Sequence, residues 1–209
     1  MGLREEQKIE RTQRILDAAA ELFGRDGFDH VKAEKIAEEA RVSVGTLYNY
    51  FPGKTEILMT LIAAENERLE DIGRAYVLDV TKPVADILSE FVQQYFDLQN
   101  MMLNKGLWRK GFAISFADVT SKEARRLRVS DRALGEQVID LANVLQSMGL
   151  LRQDVDCDVF GATLFNNANM LFLDFTRSEN TSYQEVTHGI DTMTRALVCL
   201  AIPPKEANR

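Results

Sequence analysis

Apolar residues recur at intervals of three and four along almost the whole 209-residue chain, whereas the strict alternation of a half-buried strand is nearly absent. This pattern predicts an all-α fold of about nine helices, without an internal repeat. The first run is expected to break at Gly24 and Gly27. The predicted helices cover about residues 8–23, 33–40, 43–51, 57–76, 83–95, 107–116, 121–149, 156–175 and 182–202.

The cysteine content and the lack of long apolar runs indicate the cellular compartment in which the protein is expected to act. Its two cysteines, Cys157 and Cys199, are expected to be buried small side chains of a reduced, cytoplasmic protein. The charged N-terminus lacks the apolar stretch of a signal peptide. No apolar run reaches the roughly 20 residues that a membrane helix requires. We therefore expect no membrane partner.

Net charge alone gives no support for a nucleic-acid partner. The chain carries 25 Lys and Arg against 32 Asp and Glu, a formal net charge of −7. The first 60 residues hold nine basic and eleven acidic side chains. A nucleic-acid surface would therefore have to be a local arrangement of side chains rather than a basic domain.

The second and third predicted helices are separated only by residues 41–43. Ser43 is placed to accept a hydrogen bond from a backbone N–H in the first turn of the third helix. Val42, before this cap, can pack on Leu47 as a hydrophobic staple. The spacing is typical of a helix-turn-helix motif, in which Leu47 and Phe51 would face the core.

The other face of the third predicted helix carries side chains that can contact DNA. Gly45 stands in its first turn, where glycine costs about 1 kcal/mol relative to alanine, and its lack of a side chain suits the close approach of another backbone. Tyr48, Asn49 and Tyr50 offer hydroxyls and an amide that can reach phosphates or base edges. Simple core packing is the alternative for the aromatic residues; we favour it for Phe51 and leave it open for Tyr50.

The segment around this motif resembles the TetR family of regulators. The resemblance lies in IAEEARVSVGTLYNYF at residues 36–51, in KTEIL at residues 54–58, and in ILDAAAELF at residues 15–23 with the Gly-Phe pair that follows. It covers about residues 8–62 of the chain. A bare helix-turn-helix is a weak signal, but this compound pattern at this spacing is specific.

The resemblance implies a homodimer that binds double-stranded DNA and a small-molecule effector. Residues 1–53 would form a three-helix DNA-binding head, and residues 54–209 a helical body for effector binding and dimerisation, with helix 4 as the connector. Lys54 is implied to meet a phosphate. The residues expected at the DNA face are Lys32, Ser43, Val44, Gly45, Thr46, Tyr48, Asn49, Tyr50 and Lys54.

Two positions depart from the family pattern. Lys32 stands near the start of helix 2, where the family commonly has a threonine that caps the helix and touches phosphate; lysine can pair with phosphate but cannot cap. Arg41 stands at the turn position that is often glycine. If Arg41 adopts a left-handed conformation, it carries a strain of about 1 kcal/mol.

Most aromatic side chains of the body are expected to fill its core, and a subset to line a cavity for an apolar or aromatic effector, with asparagines supplying polar contacts. Because unpaired asparagines are costly to bury, they could instead bond across a dimer interface or to water. The candidate effector-binding residues are Phe91, Tyr95, Trp108, Phe112, Phe116, Phe165, Asn166 and Asn169.

Neither a metal or cofactor site nor a catalytic site is expected. Glu185 and His188 have the spacing of a di-iron ligand pair, but such a site needs two copies and His30 is the only other histidine. Ser182 and Glu185 fit a capping box instead. With no nucleophile–base pair in view, the chain is not expected to be an enzyme.

The last two predicted helices, roughly 157–177 and 183–202, are nearly continuous in apolar character and are expected to pair with their twins in a four-helix interface. A two-fold dimer predicts a palindromic operator. Effector binding would shift helix 4 and lower DNA affinity, so the expected function is a ligand-responsive repressor. The alternative is a helical small-molecule-binding protein whose head does not read DNA.

Overall fold

The computed structural model describes residues 2–97 and 101–204, and within them the chain forms nine α-helices and no strand. The helices are α1 (Leu3–Asp26), α2 (Ala33–Glu39), α3 (Val44–Tyr50), α4 (Lys54–Arg74), α5 (Val84–Gln94), α6 (Lys105–Ala117), α7 (Lys122–Ser147), α8 (Cys157–Arg177) and α9 (Tyr183–Ala201). The all-α prediction is confirmed.

Side-chain caps mark the starts of several helices. Ser43, Asn104 and Asp156 each accept a hydrogen bond from the backbone N–H three residues later, which satisfies one of the unpaired donors of a first turn. Ser182 does the same with Glu185, whose carboxylate accepts from the Ser182 backbone N–H. The predicted capping box is confirmed, so this glutamate has a structural use.

Helix α1 is longer at both ends than its apolar pattern predicts. It begins at Leu3 rather than near residue 8, with acidic residues in the first turn where the helix dipole favours them. It also continues through Gly24, so the break predicted over residues 24–27 comes at the end of that segment. The chain leaves the helix at Gly27, whose φ of 82° is open to glycine at little cost.

Residues 2–66 and 101–128 form a first compact unit, which contains α1, α2, α3, the start of α4, α6 and the start of α7. Helix α2 packs on both α1 and α3. Gly111 of α6 lies so close to α4 that an added Cβ would overlap the Ile62 side chain. The most deeply buried apolar residues of this unit include Ile15, Ala19, Leu22, Phe23, Ile36, Leu47, Ile57, Leu58 and Ile62.

Among the described residues, 67–97 and 129–204 form a second compact unit, in which α9 packs along α5 and α8. Helices α7 and α8 approach closely at Gly161, where a Cβ would lie 2.7 Å from the Ile139 Cα atom. Its core is aromatic, with ring contacts that link Phe91, Tyr95, Phe96, Phe165 and Phe172. This unit holds the two helices that were expected to form the dimer interface.

Spatial grouping does not follow the expected boundary after residue 53, because α6 and the first turns of α7 group with the head. The functional division at residue 53 stays a prediction. Cys157 is buried as expected, but Cys199 is exposed on α9, so that expectation is wrong for this chain by itself. No helix among the described residues combines the length and apolar character needed to span a membrane.

Candidate nucleic-acid interface

The turn between α2 and α3 is closed by backbone hydrogen bonds and passes through one left-handed residue. The N–H of Arg41 donates to the Glu38 carbonyl at 3.0 Å, and that of Val42 donates to the Ala37 carbonyl at 2.9 Å. Arg41 has a φ of 56°, the only positive φ at a non-glycine residue in the described parts of the chain. A side chain in this conformation costs about 1 kcal/mol or more, as expected from the departure at this position.

Ser43 fixes the start of α3. Its hydroxyl oxygen accepts from the Thr46 backbone N–H at 3.0 Å and lies 2.8 Å from the Thr46 hydroxyl. Leu47 has no exposed surface and Phe51 only 5%, which confirms that both face the core. The predicted cap and inward face are therefore both present, and together they determine which side chains of α3 point outward.

The outward face of α3 is polar and carries no charge. Tyr48 is 48% exposed, which is unusual for a large aromatic side chain, and Asn49 is exposed beside it. Tyr50 is half-buried, so the alternative of packing stays open for it. Residues 43–51 include no Lys, Arg, Asp or Glu. Any attraction of this helix to phosphates must therefore come from hydroxyls, amides and the backbone.

Gly45 has no packing reason to be glycine. A Cβ added there would meet only the Ser43 hydroxyl oxygen, at an ordinary contact distance of 3.9 Å. Its backbone is also not in the positive-φ region that favours glycine. Because glycine lowers helix stability relative to alanine, the residue is unfavourable for folding. It leaves bare backbone on the exposed surface of the motif.

The two lysines expected at the DNA face have different surroundings. Lys32 is exposed at the N-cap of α2 and makes no side-chain cap, as expected for a residue without an acceptor. The Lys54 ammonium donates to three carbonyl oxygens, of Phe28 at 2.8 Å, Asp29 at 3.2 Å and Val31 at 3.1 Å. An ammonium has three protons, so each has a carbonyl acceptor here and Lys54 has a structural role; its contact with a phosphate stays a prediction.

Sequence reasoning missed the loop that Lys54 holds. Two ammonium groups lie over the Phe28 ring, with Lys54 Nζ 4.6 Å and Lys110 Nζ 5.2 Å from its centroid. Lys110 also pairs with Asp29 at 2.7 Å, and this hydrogen bond lowers the pKa of the Asp29 carboxyl. Both lysines are far in sequence from the loop residues that they contact, so no local sequence pattern predicts these contacts. The loop that leads into α2 is thereby attached to both α4 and α6.

The candidate effector residues fall in both compact units. In the second unit, Phe91 packs edge-on against Tyr95, with ring centroids 5.4 Å apart, and Tyr95 contacts Phe165 in the same manner. All three are buried. Asn169 is half-buried, whereas Asn166 is exposed on α8. The aromatic members therefore form one cluster, and Asn166 lies outside it.

The other three candidate effector residues lie on α6 in the first unit. Trp108 is buried, Phe112 is half-buried and Phe116 is 62% exposed. Their rings form a row, with centroids 5.8 Å apart between Trp108 and Phe112 and 6.2 Å between Phe112 and Phe116. The row runs from the core to the surface along one face of the helix.

Tyr95 is part of a tight junction of three helices that sequence reasoning missed. Its hydroxyl donates to Gln137 Oε1 at 2.6 Å, and Gln137 Nε2 donates to the Glu70 carbonyl at 3.1 Å. Burial raises the pKa of the Tyr95 hydroxyl, which therefore stays protonated as a donor. A Cβ at Gly73 would overlap both the Gln137 amide and the Tyr95 hydroxyl. The hydroxyl of Tyr95 is thus already used within the protein.

Two polar groups of the second unit lack a compensating environment. Gln94 Nε2 is buried and finds no hydrogen-bond partner in the described part of the chain. Burial raises the pKa of Asp131 to about 6 from its ordinary value of 3.8. Buried polar groups are usually satisfied, so each exception calls for an explanation. Neither residue was singled out from the sequence, because isolated polar residues in a helical pattern are normally taken as solvated.

Known proteins resemble this chain both in the helix-turn-helix segment and over most of its length. The model of "Bacterial regulatory proteins, tetR family" matches residues 15–60. The transcriptional repressor KstR of Rhodococcus jostii is 45% identical over 65 residues, which is 31% of this chain and 31% of KstR. The match thus spans about a third of that repressor's length.

Two other proteins match over most of their length. The nucleoid occlusion factor SlmA of Actinobacillus pleuropneumoniae is 30% identical over 187 residues, covering 86% of this chain and 87% of SlmA. The structure of Thermus thermophilus FadR, a repressor solved with lauroyl-CoA, shares the fold with a TM-score of 0.62 and 24% identity, covering 95% of this chain and 98% of FadR. From the helix-turn-helix match and the match to SlmA over most of the chain together, this chain belongs to the tetR family of bacterial regulatory proteins.

Proposed function

We propose that this protein is a dimeric, sequence-specific DNA-binding regulator that acts as a repressor and is released from a palindromic operator by a small effector. The observation that carries the proposal is the outward face of α3. It exposes Tyr48 and Asn49 beside Gly45, a glycine that no contact within the protein requires. An exposed aromatic side chain next to exposed backbone on a surface helix suits close contact with a binding partner.

Double-stranded DNA fits this face. In a helix-turn-helix the second helix enters the major groove, where asparagine can bond the N6 and N7 atoms of adenine. The Tyr48 and Ser43 hydroxyls and the backbone at Gly45 suit phosphate oxygens. Lys32 and Arg41, both exposed, can supply the charge that α3 lacks. Lys54 then supports the interface from behind, by holding the loop before α2.

A dimer is supported by the surface of α8 and α9. These neighbouring helices expose large apolar side chains on a chain that is otherwise rich in charge. Several large apolar side chains exposed on neighbouring helices suit an interface. The exposed members are Val159 at 62%, Met170 at 55%, Met193 at 43% and Leu200 at 69%. A four-helix interface formed with a second copy would cover them and present two heads to successive major grooves.

The effector is proposed to be apolar or aromatic with at least one hydrogen-bonding group. The aromatic cluster of the second unit supplies apolar surface, Gln94 Nε2 supplies a buried donor without a partner in the described chain, and Asp131 supplies a half-buried carboxyl. A ligand that satisfied them would offset their burial cost of about 1–3 kcal/mol each. FadR of the same fold was solved with lauroyl-CoA, so the architecture can hold a ligand that includes a long apolar chain.

The match to SlmA favours a second candidate function. SlmA is a nucleoid occlusion factor, and it resembles this chain over 87% of its length, whereas KstR resembles it over about a third. Both candidates require DNA binding and differ in what the bound protein does. A nucleoid factor would occupy many sites spread along a chromosome, whereas a repressor would occupy few sites close to promoters.

The test is selection of bound duplexes from a random DNA library at moderate salt, with the wild-type protein and Tyr48→Ala. Gln184→Ala, at an exposed site on α9, is the control. We expect one palindromic motif from the wild type and the control and none from Tyr48→Ala. Failure to enrich any motif would favour the alternative of a small-molecule-binding protein that does not read DNA.

A second measurement separates the two candidate functions. Mapping the bound sites along a chromosome that carries the recovered motif would count them and locate them relative to promoters. A few promoter-proximal sites that are vacated when an effector is added support the repressor. Many dispersed sites, with no effect on neighbouring transcripts, support the nucleoid role.

A further inference from the structure

The first turns of α1 project beyond the packed part of the first unit. Every side chain from Arg4 to Arg11 is exposed, and burial along the helix begins only at Ile15. Eight residues of α-helix rise about 12 Å, so roughly two turns have no packing partner in the described chain. A short helical segment without packing has little stability of its own, which suits a segment that contacts another molecule.

Three positive side chains of this projecting segment lie along one line, which we call the α1 stripe. With about 100° of rotation per residue, Arg4, Lys8 and Arg11 fall within an arc of about 60° around the helix axis. The three glutamates of the segment lie at least about 60° outside this arc. None of the three cations forms an ion pair or a side-chain hydrogen bond with another described residue. The stripe therefore offers three exposed cations that have no partner within the described chain.

The stripe destabilises the helix that carries it. Arg4 lies in the first turn, where the helix dipole favours acidic side chains over basic ones. Arg4 and Lys8 are four residues apart, and Lys8 and Arg11 are three apart, so like charges are neighbours on the helix surface and repel each other. Folding gives no reason for this arrangement. An anion that lies along the stripe would relieve the repulsion.

The α1 stripe faces the side on which the helix meets the rest of the first unit. Ile15, Ala19 and Leu22 have no exposed surface, and they lie within or next to the same arc around the helix axis. Helix α2 packs on α1, and α3 packs on α2. The stripe is therefore on the side of α1 that carries the helix-turn-helix motif, and a long molecule bound at α3 can reach it.

We propose that Arg4, Lys8 and Arg11 bind the phosphate backbone of the same DNA that α3 contacts, and that they supply affinity that does not depend on sequence. This inference rests on the proposed function, because it takes double-stranded DNA as the partner. A duplex presents phosphates at close, regular intervals, which suits a row of cations about 10 Å long. Residues 43–51 of the motif carry no charge, so the stripe supplies what α3 lacks. DNA is favoured over an acidic protein surface because the helix-turn-helix lies in the same compact unit.

The test measures the affinity of the full chain as a function of salt for two duplexes, the selected motif and a scrambled sequence of the same length. The variant is Lys8→Gln with Arg11→Gln. We expect it to weaken both duplexes by the same factor, roughly tenfold at about 0.1 M salt, and to lower the slope of log affinity against log salt by about two for each bound chain. The matched control, Arg132→Gln with Arg177→Gln, removes two exposed cations of the second unit and should leave both slopes unchanged.

Three results would overturn the proposal. Wild-type affinity and slope in Lys8→Gln with Arg11→Gln, while Tyr48→Ala loses the motif, would remove the stripe and leave the regulator in place. An equal loss in the control variant would show an effect of total charge. A lower free energy of unfolding in the stripe variant would give these cations a structural role, whereas we expect it to be unchanged or slightly higher. If no motif is selected, the scrambled duplex alone still tests the stripe, and a wild type that binds neither duplex overturns both proposals.

Discussion

The Lys54 ammonium lies 4.6 Å from the centroid of the Phe28 ring and donates a hydrogen bond to the carbonyl oxygen of the same residue at 2.8 Å. One side chain at the start of α4 thus holds both the ring and the backbone of the loop before α2. Phe28 is 8% exposed, so the contact is largely shielded from water. The position that the family resemblance assigns to phosphate binding is used here to build the scaffold of the motif.

Replacing Lys54 should therefore mainly lower the free energy of unfolding, and have less effect on the electrostatic attraction to DNA. We expect Lys54→Met to lower the free energy of unfolding by about 2 kcal/mol, because three carbonyl oxygens lose their donor and Phe28 loses a cation–π contact. Urea denaturation followed by circular dichroism measures this. Lys32→Met is the matched control and should stay within about 0.5 kcal/mol of the wild type, since Lys32 is exposed.

Measuring DNA binding by the same two variants distinguishes a lysine that stabilises the fold from one that contacts a DNA phosphate. Lys32→Met should reduce the slope of log affinity against log salt by about one, if Lys32 neutralises one phosphate. Lys54→Met should leave that slope unchanged in the fraction of protein that is folded. If Lys54→Met instead lowers this slope and leaves stability unchanged, Lys54 contacts a DNA phosphate and does not stabilise the fold.

Gly45→Ala should separate stability from DNA binding. Its Cβ would meet only Ser43 Oγ at 3.9 Å, so we expect stability to rise by about 0.5–1 kcal/mol from helix propensity. If DNA approaches this backbone, the methyl group should weaken operator binding by roughly tenfold or more, about 1.4 kcal/mol. Gly24→Ala, an exposed helical glycine of α1 with nothing within 4 Å of its Cβ, should gain stability without losing DNA affinity. Equal affinity of Gly45→Ala for DNA would remove the contact.

Gly73→Ala should be strongly destabilising. The new Cβ would overlap the Gln137 amide and the Tyr95 hydroxyl, and the junction could accommodate it only by breaking their hydrogen bond. We expect a loss of about 2–4 kcal/mol in urea denaturation, from overpacking and from unpaired polar groups. Tyr95→Phe, which removes only the hydroxyl, should cost about 1 kcal/mol. A tolerated Gly73→Ala would mean that α4, α5 and α7 pack less tightly than described.

Asp131 should make stability fall as pH rises. Well below pH 3.8 its carboxyl is protonated in the folded and unfolded states alike, so it contributes no difference. Between the ordinary pKa of 3.8 and about 6 the unfolded chain ionises first, which lowers the free energy of unfolding by at most about 3 kcal/mol, and by less because the side chain is half-buried. Asp131→Asn should remove this decline, as measured by urea denaturation between pH 3 and pH 8.

An exposed amide on the same helix provides the control for that titration. Asn143→Ala removes no titratable group, so it should leave the pH dependence of stability as it is in the wild type. An effector that donates a hydrogen bond to Asp131 should also reduce the decline. Parallel pH profiles for the wild type and Asp131→Asn would show that the carboxyl is not buried in solution.

Local signals predicted the helices and the motif, because caps and periodicity act over three or four residues. Ser43 and Ser182 each bond the N–H three positions later, and a sequence shows that spacing directly. The early start of α1 was missed because polar, charged turns lack an apolar period. Arg41 could be foreseen as left-handed only through the family position that it occupies.

The missed parts of the site depend on contacts between distant residues. Lys54 reaches a loop 23–26 positions away, and Lys110 reaches Asp29 across 81 positions. Nothing in the sequence near Gly73 indicates that a larger residue would clash there; the structure shows the clash, with Gln137. In each case the identity of the residue is explained by its partner. No periodicity within one helix carries that information.

Gly45 also determines how this chain would respond to selection. A library sorted only for resistance to heat should replace Gly45 with alanine, because no internal contact opposes the change. The same sorting should favour glycine at the left-handed Arg41. A lineage that kept the fold but lost its DNA target would be expected to drift toward alanine at position 45. Glycine there, retained against its cost to the helix, would mark descendants in which the surface of α3 is still in use.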